Sequence, residues 1–285
     1  MFVENLLVKH TIPFLDCKDH SFSKEKFSLH KNETYDILVT RPFPENLRSY
    51  YESGDYISHT DSKKTLFDKV YQFVKKITLQ QKLSLINTFN HTQKTLLDIG
   101  AGTGDFLNFC KKNEWLVSGV EPNEKARAIA KKKDIALFES LETLENKEFN
   151  VITLWHVLEH VEDLELYIKS LEKLLKKRGH LIIAVPNFNS YDASYYKEFW
   201  AAYDVPRHLW HFSQTGIEKL FKKFGFVLEN TRPMKFDSYY VSLLSEKYKA
   251  KRMNVVNGFY RGFLSNLKAR HSSEYSSLIY TFKKG

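Results

Sequence analysis

From Ser62 the chain alternates between two periodicities. Apolar positions first recur at helical spacing, with Leu66, Val70, Phe73, Val74 and Ile77 on one face, predicting one or two helices that run to about Asn87. Short apolar runs then take over at Thr95–Ile99, Leu116–Val120, Ile135–Phe138, Val151–Leu154 and Leu181–Val185. Each has the length of a strand, and amphipathic stretches near 105–112, 123–132 and 161–178 lie among them as helices. Asn123 is placed to cap the second of these helices, and Gly179 to end the third. Continuous apolar strands between helices belong to a parallel sheet covered on both faces. A further unit has Ser213 as N-cap, Ile217, Leu220, Phe221 and Phe224 inward, Gly225 as stop and a strand at Phe226–Asn230. Helical patterns follow to about residue 270, and Ser277–Phe282 reads as a last strand. Residues 61–285 therefore predict an α/β domain. Residues 1–60 lack clear periodicity and carry turn chemistry at Arg41-Pro42-Phe43-Pro44 and Ser53-Gly54-Asp55, predicting an irregular extension packed on that domain.

Composition changes this picture little. A chain of 285 residues that is 42% hydrophobic and 27% charged buries enough surface to fold without staples. Its two cysteines, Cys17 and Cys110, stand in unrelated contexts and build neither a disulfide framework nor a cysteine-rich zinc site. Met1 to Phe14 has no basic n-region, and no stretch approaches the roughly 20 apolar residues of a membrane span. A cytoplasmic protein is expected. The net charge of +9 suits an RNA or an anionic membrane surface, yet the basic runs Lys111-Lys112, Lys131 to Lys133, Lys176 to Arg178 and Lys222-Lys223 each close a predicted helix. Cations there complement the helix dipole, which makes solvated helix ends the simpler reading.

Chemistry concentrates in Asp98-Ile99-Gly100-Ala101-Gly102-Thr103-Gly104, directly after one strand and directly before a helix. Glycines there let backbone approach a ligand at a helix N-terminus. A second acid, Glu121, closes the next strand ahead of Pro122, where a carboxylate can accept hydrogen bonds from both ribose hydroxyls of an adenosine. A dinucleotide site requires G-x-G-x-x-G, whereas this loop is G-x-G-x-G with Asp98 two residues ahead of it. That carboxylate would repel a pyrophosphate. It suits S-adenosylmethionine, which has no phosphate and carries cationic sulfonium and ammonium groups.

The pattern D-x-G-x-G-x-G, with an acid ending the following strand, resembles the class I S-adenosylmethionine-dependent methyltransferases over roughly residues 61–285. Leu154-Trp155-His156-Val157-Leu158-Glu159-His160-Val161 and Val185-Pro186-Asn187 resemble the subgroup related to ubiquinone-biosynthesis O-methyltransferases. The resemblance implies a Rossmann-like, seven-stranded, mostly parallel sheet of order 3-2-1-4-5-7-6, the last strand antiparallel, with helices on both faces. It places Asp98, Gly100, Ala101, Gly102 and Gly104 at the methionine end, Glu121 and Pro122 at the ribose, and Glu139 and Ser140 near adenine, although the usual aspartate is missing there. His156 begins the loop after the fourth strand, at the edge where such folds bind ligands.

His156-Val157-Leu158-Glu159-His160 also spells H-x-x-E-H, the pattern of an inverted zinc peptidase. His156 follows its strand immediately and falls in a turn, so the two rings lack the full helical turn that would bring them together. No metal is expected.

Phe188 to Phe212 holds nine aromatics in 25 residues, where a content of 15% gives about four. This segment, 188–212, reads as an aromatic lid whose rings pack as core, wall an acceptor, or both. It contains Asp204-Val205-Pro206-Arg207-His208-Leu209-Trp210-His211. Methyl transfer is an in-line displacement, and an acceptor that holds a proton needs a base. His208 is the first candidate, with His156 and His211 behind it, while Arg207 either binds an anionic acceptor or pairs with Asp204. Tyr56 and His59 are candidates to fold over the cofactor. No N/D-P-P-Y/F sequence follows the fourth strand, and no cysteine stands near the site, which disfavours adenine-N6 and C5-pyrimidine chemistry on nucleic acid. The sequence thus predicts methyl transfer to a small-molecule acceptor, oxygen before nitrogen. An RNA methyltransferase and a catalytically silent S-adenosylmethionine-binding protein remain as alternatives.

Overall fold

The computed structural model describes residues 7–51, 66–144 and 147–285, the side chains of Arg48 and of 66–71 excepted. Tyr56 and His59 lie outside the described residues. The chain forms two compact units, one of residues 54–155, 169–182 and 281–285, the other of 1–53, 156–168 and 183–280.

In the first unit, α1 (Leu66–Asn87) is a single helix. Its buried positions are Leu83, Leu85 and Ile86, whereas Phe73, read as inward, is 65% exposed. Among the described side chains the apolar face is buried toward the end of the helix. β4 (Thr95–Ile99) lies between β5 (Leu116–Val120) and β6 (Phe149–Trp155), parallel to both. Leu96, Leu97, Val151, Ile152 and Leu154 are fully buried, which is why these strands read as continuous apolar runs. α2 (Asp105–Lys111) follows β4, and α3 (Glu124–Lys131) follows β5, with the Asn123 side chain accepting from Ala126 N–H at 3.1 Å as its cap.

The third predicted strand is reduced to one parallel bridge, Phe138 to Val120. Among the described residues six strands hydrogen-bond in the order β5-β4-β6-β7 (Leu175–Pro186)-β10 (Ser277–Lys284)-β9 (Phe226–Pro233). The bridge holds the outer position beside β5 that the expected order assigns to the third strand. The helix predicted over 161–178 is α4 (Leu164–Leu174), and β7 (Leu175–Pro186) begins at the next residue, so Gly179 lies within the strand. Lys284 explains the early stop. Its ammonium donates to the carbonyls of Glu172 and Leu175 at 2.6 and 3.1 Å, satisfying acceptors that a helix end leaves open.

In the second unit, residues 11–41 correct the expectation of an irregular extension. They form β1 (Thr11–Lys18), β2 (Lys26–Asn32) and β3 (Ile37–Arg41), an antiparallel sheet completed by β8 (Trp210–Phe212). Ile37 pairs with Phe212 and Val39 with Trp210, contacts too distant in the chain for local periodicity to announce. The aromatic segment contains α5 (Tyr191–Tyr196) ahead of β8. Phe188, Tyr196, Trp200 and Tyr203 are buried in one core with Cys17, Phe27, Leu29 and Leu38, so the segment packs largely as core. α6 (Gln214–Lys223), capped by Ser213 as predicted, leads through Gly225 to β9 (Phe226–Pro233). α7 (Asp237–Ala250), α8 (Val255–Ser272) and β10 (Ser277–Lys284) complete the chain. Among the described residues no helix is long and apolar enough to cross a membrane.

Candidate active site

The glycine hairpin lies between the end of β4 and α2. Gly100, Gly102 and Gly104 all have left-handed backbone, with φ of 69°, 52° and 74°. The N–H groups of Gly100 and Ala101 donate to Val120 O at 2.8 and 3.0 Å, tying the hairpin to β5. The glycines differ in what their missing side chains permit. A Cβ on Gly104 would stand 3.0 Å from Ala130 Cβ, so this glycine lets α3 pack closely. A Cβ on Gly102 would meet nothing within 4 Å, so the space beside it is open to a ligand.

Both predicted carboxylates attend this hairpin. Glu121 accepts from Gly102 N–H at 2.8 Å through one oxygen and from Asn123 N–H at 2.9 Å through the other. Each oxygen keeps a lone pair for a further donor. Asp98 is 2% exposed. Its strand partner Thr153 donates a hydroxyl proton to Oδ1 at 2.6 Å. Burial pushes the Asp98 carboxyl up to about 6, against the opposing pull of that hydrogen bond and of the Lys82 charge. Thr153 escaped the sequence reading, although a lone polar residue inside the run Val151–Leu154 was its signal. Lys82 escaped it too; its ammonium lies 4.1 Å from the ring centre of Trp155, which packs edge-on against Phe106.

Arg127 donates to the carbonyls of Glu121 and Pro122 at 2.8 and 2.7 Å and holds the exposed Glu139 carboxylate at 3.6 Å. The Ser140 carbonyl accepts from the Thr143 hydroxyl at 2.7 Å. The first unit thus presents two acids and open backbone at the hairpin, and the Lys133 ammonium that reaches Thr103 O at 3.1 Å is held by the Asp105 carboxylate at 2.6 Å. That donor set fits a cationic nucleoside such as S-adenosylmethionine and disfavours a pyrophosphate.

The candidate histidines His156, His208 and His211 belong to the second unit, as does His160. His156 occupies the turn after β6 with φ of 57°, as its position next to the strand required. Its Nδ1 meets Glu159 at 3.2 Å and its Nε2 meets Asp237 at 3.0 Å. Burial alone would lower its pKa, but the two carboxylates outweigh it and raise the ring to about 10. His156 is an imidazolium at neutral pH and cannot accept a proton there. Glu159, buried yet facing that charge, is held at about 2.

His160 Nδ1 lies 3.0 Å from the Arg207 carbonyl and 2.8 Å from the Tyr51 hydroxyl. A carbonyl only accepts, so this nitrogen carries the proton and Nε2 keeps its lone pair. His208 Nδ1 likewise donates to a carbonyl, Ala202 O at 2.8 Å, and its Nε2 stands 4.0 Å from Asp204 Oδ2. Burial pushes His160 down to about 4. His211 is buried against the Thr40 hydroxyl at 3.0 Å, with its pKa far below the ordinary value. Arg207 donates through Nε to Asp204 at 2.8 Å and through Nη2 to the same carboxylate, and it reaches Ser21 Oγ at 2.7 Å, so pairing is the arrangement adopted. Backbone bonds lock the histidine turn onto the 204–210 segment: Leu209 N–H donates to Glu159 O at 2.8 Å, and the Trp210 indole donates to Val161 O at 2.6 Å.

The H-x-x-E-H sequence does not converge as a peptidase site, because His156 and His160 face different partners. Donor atoms of Glu159, His160 and His208 do lie within 4.8 Å of one another, a grouping able to share a metal ion that the sequence reading did not foresee.

A family model described as methyltransferase domain matches residues 69–231, more than half of the chain. The chain belongs to that methyltransferase-domain family. A ubiquinone biosynthesis O-methyltransferase of Pelagibacter ubique is 37% identical to this methyltransferase-domain protein over 101 residues, 32% of this chain and 42% of that relative. Another of the same description, from Histophilus somni, is 32% identical over 110 residues, 34% of this chain and 46% of the relative. The chain thus spans less than half the length of the curated relatives it matches. Among solved structures, magnesium protoporphyrin IX methyltransferase of Synechocystis with bound SAH resembles it with a TM-score of 0.54 at 15% identity, over 84% of this chain and 96% of that one. That likeness is one of fold, and it agrees with the Rossmann-like α/β sheet.

Proposed function

We propose that the protein transfers the methyl group of S-adenosylmethionine to a hydroxyl oxygen of a small-molecule acceptor. The observation that carries this reading is the pairing of Asp98 and Glu121 about an open glycine hairpin. S-adenosylmethionine, when bound, supplies an electrophilic methyl carbon on a sulfonium that leaves as a neutral thioether. Asp98 would hold the donor's ammonium, directly or through water, and Glu121 would accept from its ribose hydroxyls. Gly102 would allow the close backbone approach, and Glu139 and Ser140 would lie toward the adenine.

An acceptor hydroxyl that took this methyl as the carbon–sulfur bond broke would give up its proton, and the chain must supply a base for it. Of the histidines considered, we assign that role to His208, since His156 is already protonated and His211 is engaged with the Thr40 hydroxyl. Arg207, engaged with Asp204, would position the His208 segment rather than bind the acceptor. Residues 1–60 and 188–212 are read as accessory to the methyltransferase domain of 61–285. The relatives named as O-methyltransferases support oxygen as the acceptor atom. A cytoplasmic setting suits the free thiols of Cys17 and Cys110.

Calorimetric titration with S-adenosylmethionine, followed by turnover with labelled donor across phenolic, glycan and lipid-linked hydroxyl acceptors, tests the proposal. Micromolar donor binding with labelled product supports it. Absence of donor binding overturns it, and binding without turnover on any acceptor class leaves a silent binding protein.

A further inference from the structure

A helix that covers a core points its large apolar side chains inward and its polar side outward. α8 does the reverse. Gly258, Gly262, Ser265 and Ala269 form its buried side, one per turn, while Val256, Phe259, Tyr260, Phe263 and Leu267 are 40–81% exposed. The helix cannot turn over to hide them. A Cβ on Gly258 would stand 2.9 Å from Leu243 Cδ2, and one on Gly262 would stand 2.8 Å from the Cα of Tyr239, so only small residues fit against α7. Ser238 Oγ donates to Gly262 O at 3.1 Å across the same contact. The outward apolar stripe is therefore built into the packing of the helix pair.

The segment that carries this stripe is strongly basic. Residues 231–272 contain nine lysines and arginines against two acids, Asp237 and Glu246. Asp237 is engaged by His156, and Glu246 is buried beneath hydrogen bonds from Tyr196 and Asn257. Much of the chain's excess of positive charge thus sits on the segment that exposes the most apolar surface. Arg261 and Lys268 lie 3.9 and 4.0 Å from the ring centres of Tyr195 and Tyr191. Pairing of tyrosine rings with cations suits a boundary that is apolar on one side and wet and anionic on the other.

We propose that α8 is a membrane-docking helix, lying in the plane of a bilayer that contains anionic lipid, with Val256, Phe259, Tyr260, Phe263 and Leu267 at the headgroup–acyl boundary. Electrostatics select this occupant. A second copy of the chain would bring two equally basic segments together. An RNA would neutralise the cations but leave the aliphatic side chains of Val256 and Leu267 in water. Anionic lipid satisfies both, since its phosphates meet the lysines and arginines while its acyl boundary receives the apolar stripe. Docking there would bring the protein to acceptors held in the same membrane.

The test is cosedimentation of the full-length protein with vesicles of phosphatidylcholine alone or with about 30 mol% phosphatidylglycerol, at roughly 0.1 and 0.5 M salt. Sedimentation with the anionic vesicles is expected, several-fold weaker on neutral vesicles and at the higher salt. The double variant Val256→Ser/Phe263→Ser should lower partitioning by about tenfold or more with an unchanged melting temperature, because both side chains are exposed. If that variant melts early, Phe259→Ser and the wild-type comparison of the two vesicle compositions decide the matter. Failure of the wild type to sediment with anionic vesicles overturns the proposal. So does undiminished binding by the variants, a dimer that the same substitutions dissociate, or binding of single-stranded RNA by a protein that ignores vesicles. No donor or acceptor enters this experiment, so its result is independent of the methyl-transfer reading.

Discussion

Thr153 donates its hydroxyl to Asp98 Oδ1 at 2.6 Å across adjacent parallel strands, in a place where the carboxylate is otherwise sealed from water. The bond favours the ionised form, yet burial prevails and leaves the carboxyl at about 6. A folded pKa above the unfolded value means that ionising Asp98 costs stability. The cost is absent below about pH 4, grows as pH rises through about 6, and reaches roughly 3 kcal/mol near neutrality. A bound cation would relieve it. Affinity for S-adenosylmethionine should therefore rise with pH up to about 6 and then level off. Asp98→Asn should melt higher at pH 7 while binding the donor roughly tenfold or more weakly and without that pH dependence. Equal donor affinity in the variant would show that Asp98 does not meet the ammonium.

Glu121 ties together Gly102 and Asn123, so its loss has two effects. Glu121→Ala should weaken donor binding by about 1.5–3 kcal/mol, or roughly 10- to 150-fold, by removing charge-assisted hydrogen bonds to ribose. It should also lower the melting temperature by a few degrees, because two backbone donors lose their acceptor. Titration calorimetry and thermal melting separate these effects, and a preserved dissociation constant would remove Glu121 from the ribose site.

Gly102→Ala probes the open space directly. The left-handed backbone makes alanine cost about 1 kcal/mol of stability, with no clash in the free protein. Its methyl would project into space that the donor would use, and donor affinity should fall by more than the stability does. A loss of stability with unaltered affinity would place the ligand elsewhere.

His156 titrates in the opposite sense to Asp98. Its folded pKa of about 10 exceeds the unfolded value, so its pairing with Asp237 and Glu159 stabilises the fold below about pH 6.5 and is lost as pH rises through about 10. The ring is partly open to solvent, and screening reduces the pair with Asp237 to about 1 kcal/mol. Melting followed from pH 7 to above 10 should show this loss in the wild type and less of it in Asp237→Asn. A His156 carbon chemical shift that moves near pH 6.5 would contradict the assignment.

His208→Ala should lower turnover by about 100-fold or more while donor affinity stays intact, because the proposal gives the ring the acceptor's proton and no part in holding the donor. A variant of normal rate would pass the proton to another group.

Much of the donor side was legible because it is local. The hairpin, its flanking acids, the strand before it and the cap at Asn123 all lie within one βαβ stretch, where periodicity and turn chemistry are direct readouts of backbone conformation. The histidine cluster was only half legible. The motif around Glu159 and His160 could be seen, but the partner that makes His156 a cation is Asp237, 81 residues away. The β1–β3 sheet was missed because its inward positions find their partners in Trp210 and Phe212, beyond the range of any window along the chain.

On its own, the order of residues determined the parallel α/β sheet, the glycine hairpin and the sign of charge around it, since backbone propensity and alternation of apolar runs act between near neighbours. Only the tertiary structure decided which groups carry protons, which aromatics are core and which face of α8 turns outward. Those properties depend on burial and on contacts between distant segments, and desolvation acts only once the chain has folded.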